Sequence, residues 1–318
     1  MRTLQFTVSR QYTGMTVKAF ARAYCHLSVK FIRSVKFIPG GITVNGENVN
    51  TRHILQEGDL MEVMVPQEGS GRVIASPGPV QILYENDDVI AVNKQAGEAV
   101  HPSRGHWDDT LINHLTFLYQ QRGDPVRLRL IGRLDKDTSG LLLVAKNRCS
   151  AAWLQGARDR GEMERFYLAI VHGSFAEAAA GDSLDLADEG WQTVSRPISP
   201  AADEDHHYTI CEDGRPSVTH YRVLAGFRRS GQDFSLLRLK LETGRTHQIR
   251  VHMASLGHPL AGDRRYGSTF AGADRALLHS QTVRARLFGE EQIRTFTAPL
   301  PEDMLALLPG NIRDAFLL

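Results

Sequence analysis

The sequence predicts an α+β protein of two domains, the larger of which contains a mainly antiparallel sheet. A chain of 318 residues is long enough for two domains, one of them with a sizeable core. Residues 66–80 are rich in glycine, serine and proline, have neither helical nor strand periodicity, and separate the two parts. Residues 234–241 alternate leucine with charged side chains, a period of two that indicates an antiparallel strand with one face in water.

The first 65 residues contain two short helices, a hairpin and a further strand. Apolar residues recur at helical spacing over 16–25 and again over 29–38. A Gly-Gly pair ends the second helix, and the hairpin over 42–49 carries an Asn-Gly turn, which suits the type I′ conformation. The strand over 60–65 completes a small α+β domain.

Positive charge is concentrated in this first domain, although the whole chain carries a net charge of only +1. Residues 1–60 hold eight basic and three acidic side chains, a balance that suits a phosphate backbone. Lys30, Arg33 and Lys36 lie at successive turns of the second helix. The arrangement resembles the S-four-like RNA-binding domain of a small-subunit ribosomal protein, which makes these three residues candidate RNA contacts. The alternative is a structural appendage whose basic residues form a solvated face.

The segment 66–80 is predicted to be a flexible linker, since chains of this composition do not order by themselves. We therefore expect the first domain to swing relative to the second while it presents RNA to the larger domain.

Residues 81–318 are predicted to form the larger domain. A helix over 111–119, capped by Asp108 or Asp109, has an apolar face at helical spacing. The acidic segment 183–205 has no clear period and is interpreted as a surface excursion with little function. Further strands are predicted over 82–84, 89–92, 128–131, 141–145, 165–172, 218–224, 234–241, 277–279 and 293–296. Further helices are predicted over 150–160, after residue 247, and over 302–308.

The loop Gly132-Arg-Leu-Asp-Lys-Asp-Thr-Ser-Gly140 is the strongest candidate for a functional site. Two predicted strands flank a polar turn that is bounded by glycines and carries one arginine and two carboxylates. A solvated turn between strands would show the same local pattern. The carboxylates of Asp135 and Asp137 also suggest a glycoside hydrolase, although a spacing of two residues does not set a catalytic separation.

Several other classes of site have little support in the sequence. No phosphate-binding GxxxxGK[ST] motif is present, and no GxGxxG follows a strand. There is no HExxH motif, and the adjacent His206-His207 pair lies in an acidic, loop-like stretch, so we expect no metal. The three cysteines form no CxxC pair. No apolar run approaches the roughly 18 residues of a membrane span, and we expect a cytoplasmic protein.

Four separated blocks resemble the RluA family of RNA pseudouridine synthases. They are GRLDKDTSGLLLVAK, ERFYLAIVHG, GRPSVTHY and LETGRTHQIRVHMASLGHPLAGDRRYG, and they occur in this order between residues 132 and 267. The resemblance extends over about residues 81–309, and an S-four-like domain ahead of the catalytic domain is the arrangement of the RluD-like branch. It implies a mixed, mainly antiparallel sheet with a central cleft, and isomerisation of uridine in RNA without cofactor or metal. We expect a monomer whose partner is RNA.

The resemblance also implies roles for individual residues. Asp135 becomes the nucleophile, Tyr167 the active-site tyrosine and Arg250 the arginine paired with that aspartate, while Arg133 helps eject the target base and contacts RNA. Asp137 has no catalytic role in the family. Because burial raises the pKa of a carboxyl group, a neighbouring arginine is needed to keep the nucleophile ionised in a dry pocket.

The sequence departs from the family at two positions and leaves some choices open. Gln95 replaces the proline of an NKPAG turn, which is expected to loosen a loop beside the pocket, and Gly132 replaces a histidine found in many members. Ribosomal RNA of the large subunit is the favoured substrate, with transfer RNA as the alternative. A catalytically idle RNA-binding ribosome-assembly factor would keep the same fold. Asp135 could attack either the ribose or the uracil ring.

Overall fold

The computed structural model describes residues 2–66, 68–69, 73–103, 105–124, 126–175, 190–201, 207–290 and 292–317. The N-terminal domain contains β1 (Arg2–Thr7), α1 (Val17–Ala23), α2 (Val29–Val35), β2 (Ile42–Val44), β3 (Glu47–Asn48) and β4 (Leu60–Val65). Its antiparallel sheet has the strand order β1-β4-β2-β3.

Local signals in the sequence account for most of this domain. Thr16 and Ser28 cap α1 and α2 by accepting hydrogen bonds from main-chain N–H groups three residues later. Asn45 and Gly46 both have positive φ, at 51° and 83°, as a type I′ turn requires. The two helices, the hairpin and the strand over 60–65 are therefore confirmed. Strand β1 was absent from the prediction, because its alternation is confined to six residues at the end of the chain.

The larger domain is built on one sheet of ten strands. Their bounds are β5 (Ile82–Glu85), β6 (Val89–Lys94), β7 (Arg129–Leu130), β8 (Ser139–Ala145), β9 (Glu164–His172), β10 (Gln192–Ser195), β13 (Val218–Arg229), β14 (Gln232–Leu241), β15 (Leu278–Arg286) and β16 (Ile293–Thr297). The order is β10-β13-β14-β9-β15-β8-β6-β5, with β16 beside β15 and β7 beside β8. Among the described pairings of this sheet only β15 with β8 is parallel, which confirms a mixed, mainly antiparallel sheet.

Helices cover both faces of this sheet. They are α3 (Leu111–Gln121), α4 (Arg148–Asp159), α5 (Gln248–Ser255), α6 (Glu302–Leu307) and α7 (Gly310–Asp314). Helices α3 and α5 pack on one face in the cluster that contains Tyr167, whereas α4 and α6 pack in clusters on the other. The predicted cap of α3 was wrong. Thr110 and Asn113 form a capping box there, and Asp109 instead bonds to His106.

The acidic segment 183–205 is more regular than predicted where the structure describes it. Strand β10 lies within it and forms an edge of the large sheet. Strand β11 (Ile198–Pro200) pairs with β12 (Tyr208–Ile210) in a separate two-stranded ribbon. The absence of a sequence period reflects strands too short to show one. Residues 183–189 and 202–205 of this segment, and His206 after it, lie outside the described residues.

The predicted linker contacts the larger domain in its described part. Glu68 forms ion pairs with both Arg129 and Arg148. The carbonyl of Ile74 accepts a hydrogen bond of 2.7 Å from the side-chain amide of Asn113. These contacts hold the described part of the segment against the larger domain, and composition alone does not show the charged partners that a segment meets after folding. The flexibility of the linker stays a prediction.

Aromatic side chains join the two domains directly. The rings of Phe6 and Phe288 lie 6.4 Å apart, and those of Trp153 and Phe288 lie 5.6 Å apart. His26 packs edge-on against Trp153 at 5.0 Å. Phe288 and Cys149 of the larger domain are buried in the same cluster as the core of the N-terminal domain. The expected swing of the first domain would have to break this cluster.

Candidate active site

The loop between β7 and β8 begins and ends at positions that the sheet fixes. Strands β8 and β15 pair in parallel, with Gly140 opposite Ser280. Gly140 has a φ of +107°, and a Cβ atom there would lie 2.2 Å from the carbonyl oxygen of Ser280. Only glycine suits this approach. The close contact of the two strands therefore anchors the end of the loop that carries Asp135.

A buried lysine and a partly buried arginine hold the middle of this loop through its main-chain oxygens. The ammonium of Lys94 donates to the carbonyl of Lys136 at 2.9 Å and to two carbonyls of the loop after β6. The guanidinium of Arg275 donates to the carbonyl of Asp137 at 3.0 Å. Burial lowers the pKa of Lys94 to about 8, although nearby carboxylates oppose this shift.

The turn that contains Gln95 is tied on both sides. The carbonyl of Gln95 accepts from Lys94 at 2.7 Å, and the N–H of Gly97 donates to the carbonyl of Lys136 at 2.9 Å. Neither contact involves the Gln95 side chain, so the residue that replaces the family's proline leaves the main-chain connection to the Asp135 loop in place.

A cleft of about 360 Å³ opens on the sheet beside this loop. Its size lies within the range of small-molecule sites. Asp135, Tyr167, Arg250 and Arg133 all line it, although they come from a loop, β9 and α5. The structure thus brings together the four predicted residues of the larger domain.

The carboxyl group of Asp135 lies in a partly closed environment. Its side chain is 18% exposed, and Arg133 approaches one of its oxygens at 3.9 Å. Burial raises the pKa of Asp135, while the charges of Arg250, Arg133 and Lys94 act in the opposite direction. The effect of burial is the larger, so the pKa of Asp135 is raised. The ionised carboxylate is therefore less stable here than in water, and this makes it more reactive.

Tyr167 lies on β9 with its side chain 4% exposed. Its main chain is opposite Leu239 on one neighbouring strand and Ser280 on the other. Within the part of the chain that the structure describes, no hydrogen bond to the Tyr167 hydroxyl is found. That hydroxyl is therefore available to a molecule in the cleft, and the ring offers an apolar face.

The contact made by Arg250 differs from the expected one. Its guanidinium donates two hydrogen bonds of 2.7 Å to the carboxylate of Asp263, and both residues are buried. The ring of Tyr266 lies 5.0 Å from the guanidinium carbon. A bidentate pair uses the planar fork of an arginine fully. In this structure the hydrogen-bonded partner of Arg250 is Asp263, and Arg250 acts on Asp135 through its charge. The direct pairing of Arg250 with Asp135 stays a prediction.

His247 is the N-cap residue of α5 and has a left-handed φ of 55°. Its Nδ1 atom lies 2.9 Å from the Tyr266 hydroxyl, which also accepts from the main-chain N–H of Tyr208. Burial and the charges of Arg250 and Arg265 lower the pKa of His247 to about 4. The imidazole is neutral near pH 7, which fits the interpretation of a helix-terminal polar residue.

Four of these residues were missed in the sequence. Asp263 and Tyr266 lie in the GDRRYG segment at the end of the fourth family block. Nothing in the local sequence pattern showed that both would contact Arg250. Lys94 was detectable as a charged residue at the end of strand β6, which begins with four apolar residues. Arg275 left no signal, because the contact that ties it to the loop is a main-chain carbonyl 138 positions away in the sequence.

The predicted RNA contacts of the first domain do not line the cleft. Lys30 and Arg33 are exposed on α2, and Lys36 follows the end of that helix. The ammonium of Lys36 lies 4.3 Å from the ring of Phe37, whose side chain is 84% exposed. The three cations therefore belong to a separate surface, with an aromatic ring beside them.

No group of three or more histidine, cysteine, aspartate or glutamate side chains within the described ranges could hold a metal ion. No helix in that part of the chain has the length and apolarity needed to cross a membrane.

Comparisons with known proteins agree on one enzyme class. The family model described as RNA pseudouridylate synthase matches residues 88–255. An uncharacterised RNA pseudouridine synthase of Bacillus subtilis, YjbO, is 40% identical over 93% of this chain and 99% of its own length. The ribosomal large subunit pseudouridine synthase D of Vibrio cholerae is 36% identical over 87% of this chain and 85% of its own.

A solved structure gives the same result. The human protein RNA pseudouridylate synthase domain containing 1 superposes with a TM-score of 0.56 and 28% identity, over 70% of this chain and 86% of that one.

Proposed function

The chain belongs to the RNA pseudouridine synthase family and isomerises uridine in RNA, and we propose that its target lies in large-subunit ribosomal RNA, with Asp135 as the nucleophile. The relatives named as ribosomal large subunit synthases support this choice of RNA. The observation that carries the proposal for Asp135 is its carboxylate in the cleft, beside Arg133 and under the charge of Arg250.

The reaction breaks one bond to the base and makes another. The bond from ribose carbon 1 to uracil nitrogen 1 is cleaved, the base turns, and carbon 5 bonds to the same ribose carbon. Carbon 5 then loses its proton, and nitrogen 1 gains one, so no atom is lost from the RNA. This sequence needs an ionised nucleophile and a pocket that keeps the detached base from water.

The described side chains can divide this work. Asp135 provides the nucleophilic oxygen, and its raised pKa makes the carboxylate more reactive than a solvated one. Tyr167 stacks on the uracil, and its hydroxyl, which has no hydrogen-bond partner among the described residues, comes close to carbon 5. Arg133, whose side chain is 61% exposed at the mouth, occupies the place in the RNA that the flipped base leaves.

The N-terminal domain is proposed to hold the RNA outside the cleft. Lys30, Arg33 and Lys36 supply positive charge, and the exposed ring of Phe37 offers a stacking surface. These contacts position the RNA without reading the uridine itself.

Replacement of Asp135 by asparagine tests the nucleophile. Asp135→Asn keeps the shape of the side chain and removes its charge, so pseudouridine formation should be abolished while RNA affinity is retained. Unmodified RNA would be incubated with each protein, digested to nucleosides and separated chromatographically. Turnover by the pure variant would refute the role of Asp135. Free uracil would indicate a glycoside-cleaving enzyme, and no product from the wild-type protein would indicate an idle binding factor.

The RNA target is tested in cells. Pseudouridines would be mapped in ribosomal and transfer RNA with and without the gene. Loss of a modification in large-subunit ribosomal RNA is the expected result, and a loss confined to transfer RNA would overturn the proposed substrate.

A further inference from the structure

Two arginine side chains converge on the wall of the cleft. A Cβ atom built on Gly132 would lie 3.2 Å from a terminal nitrogen of Arg158 and 3.3 Å from one of Arg165. The other terminal nitrogen of Arg165 lies 3.5 Å from the corresponding point on Gly244. Both arginines line the same cleft as Asp135. Two guanidinium groups thus meet where two glycines leave room.

These two cations lack a strong counter-charge. Within the described residues Arg165 makes neither an ion pair nor a side-chain hydrogen bond, and Arg158 only approaches the exposed carboxylate of Asp159 at 3.8 Å. By contrast, Arg160 at the end of α4 donates two hydrogen bonds to Glu162. Like charges repel at short range, so their convergence favours a bound anion between them.

Strand β9 places the side chain of Arg165 on the face of the sheet that lines the cleft. Residues two apart on a strand share a face, so Arg165 and Tyr167 of β9 lie on the same side of the sheet. Tyr167 faces the cleft, and Arg165, two residues before it on β9, therefore faces the cleft as well. An anion between Arg158 and Arg165 would sit beside a uracil placed on Tyr167.

We propose that Arg158 and Arg165 together bind one backbone phosphate of the RNA next to the flipped uridine. The inference rests on the proposed function for its ligand. Every internal nucleotide carries a phosphate on each side, and a guanidinium fork matches phosphate geometry. Gly132 suits this site, because its φ of +86° is one that other residues rarely adopt, and a Cβ atom there would force the two guanidinium groups to shift by a few tenths of an ångström. The departure from the family's histidine at this position is thus tied to an anion site.

The test compares charge-removing variants by RNA affinity and its salt dependence. Arg158→Gln, Arg165→Gln and the double variant would be titrated with unmodified large-subunit ribosomal RNA transcribed in vitro, over a range of salt concentrations. Arg160→Gln is the matched control, since it removes the same charge from the same helix end but lies outside the cleft. Thermal unfolding would verify that each variant is folded, and Arg165→Lys would retain the charge without the fork.

Each single variant should weaken RNA binding about 10- to 100-fold, as expected for lost charged hydrogen bonds. The slope of log affinity against log salt should fall by about 0.7, the value of one phosphate contact on a single strand. Because both arginines hold one phosphate, the double variant should lose little more than either single one. Arg165→Lys should recover part of the affinity, and Arg160→Gln should match the wild-type protein.

Two results would overturn the proposal. In the first, Arg158→Gln and Arg165→Gln bind RNA with the same affinity and the same salt slope as the control Arg160→Gln. The second is additive losses with a doubled change in slope, which would assign the arginines to separate phosphates. Turnover of the wild-type protein is measured on the same RNA. Normal turnover with unaffected variants rejects the anion site alone, whereas absent turnover with the expected affinities rejects the enzymatic function alone.

Discussion

Removal of the carboxylate of Asp263 should destabilise the protein strongly. Arg250 and Asp263 have side chains only 9% and 1% exposed, and two hydrogen bonds of 2.7 Å join them. In Asp263→Asn the guanidinium remains buried and loses its counter-charge. Breaking one partner of such a buried pair costs about 3–5 kcal/mol.

That cost should appear in the thermal unfolding of the variant. At about 2 °C per kcal/mol for a large domain, the melting temperature should fall by roughly 6–10 °C. Differential scanning calorimetry measures this directly. Pseudouridine formation should also fall at temperatures where the variant remains folded, because Arg250 would no longer be held beside the cleft.

Two further variants test whether the loss of stability comes from the unpaired buried charge of Arg250. Glu290→Gln breaks the exposed pair with Arg294 and should leave the melting temperature unchanged. Arg250→Met combined with Asp263→Leu removes both charges and should recover most of the melting temperature without activity. A melting temperature of Asp263→Asn equal to that of the wild-type protein would show that the pair contributes nothing and would refute the reasoning.

Three other outcomes follow from the same structure. The acid limb of kcat/KM should lie above the ordinary aspartate pKa of about 3.9, and Arg133→Gln should move it to higher pH, because Arg133 lowers the pKa of Asp135; an unmoved limb would contradict this. The pKa of Lys94 is about 8 in the folded protein and about 10.5 in the unfolded chain, so between these pH values the unfolded chain binds a proton that the folded protein has lost. The free energy of unfolding should therefore rise by up to about 3 kcal/mol as the pH increases across that window. Urea titrations should show this rise in the wild-type protein, and its persistence in Lys94→Met would contradict the assignment. Trp153→Ala removes the ring between His26 and Phe288, so limited proteolysis should cut the N-terminal domain free faster than in wild type, and equal rates would argue against that contact.

The parts of the fold that local chemistry determines were predictable. The turn at Asn45-Gly46 was recognised because only a few residues tolerate two positive φ angles in succession. The candidate loop around Asp135 was predictable because its charged residues lie between two apolar strands. The cap at Thr110 was missed since three neighbouring side chains could all have served, and only packing selects one.

The parts that distant residues determine were not predictable in the same way. Glu68 lies in a segment of linker composition, and its partners Arg129 and Arg148 are 61 and 80 positions away. Arg250 was identified as a site residue, but its carboxylate partner depends on how the chain returns after α5. The residue types in the sequence show which side chains are charged. Only the folded sheet shows which of these charged side chains lie next to one another.

The aromatic contacts between the two domains bear on how an RNA is chosen. Phe6, Trp153 and Phe288 hold the N-terminal domain against the larger one, so the basic face of α2 and the cleft keep a constant separation. Under the proposed function, an RNA that engages both must present its phosphates and its uridine at that same distance. Many uridines with a suitable neighbouring sequence would fail this requirement. The folded shape of the RNA would then exclude them before any base enters the pocket.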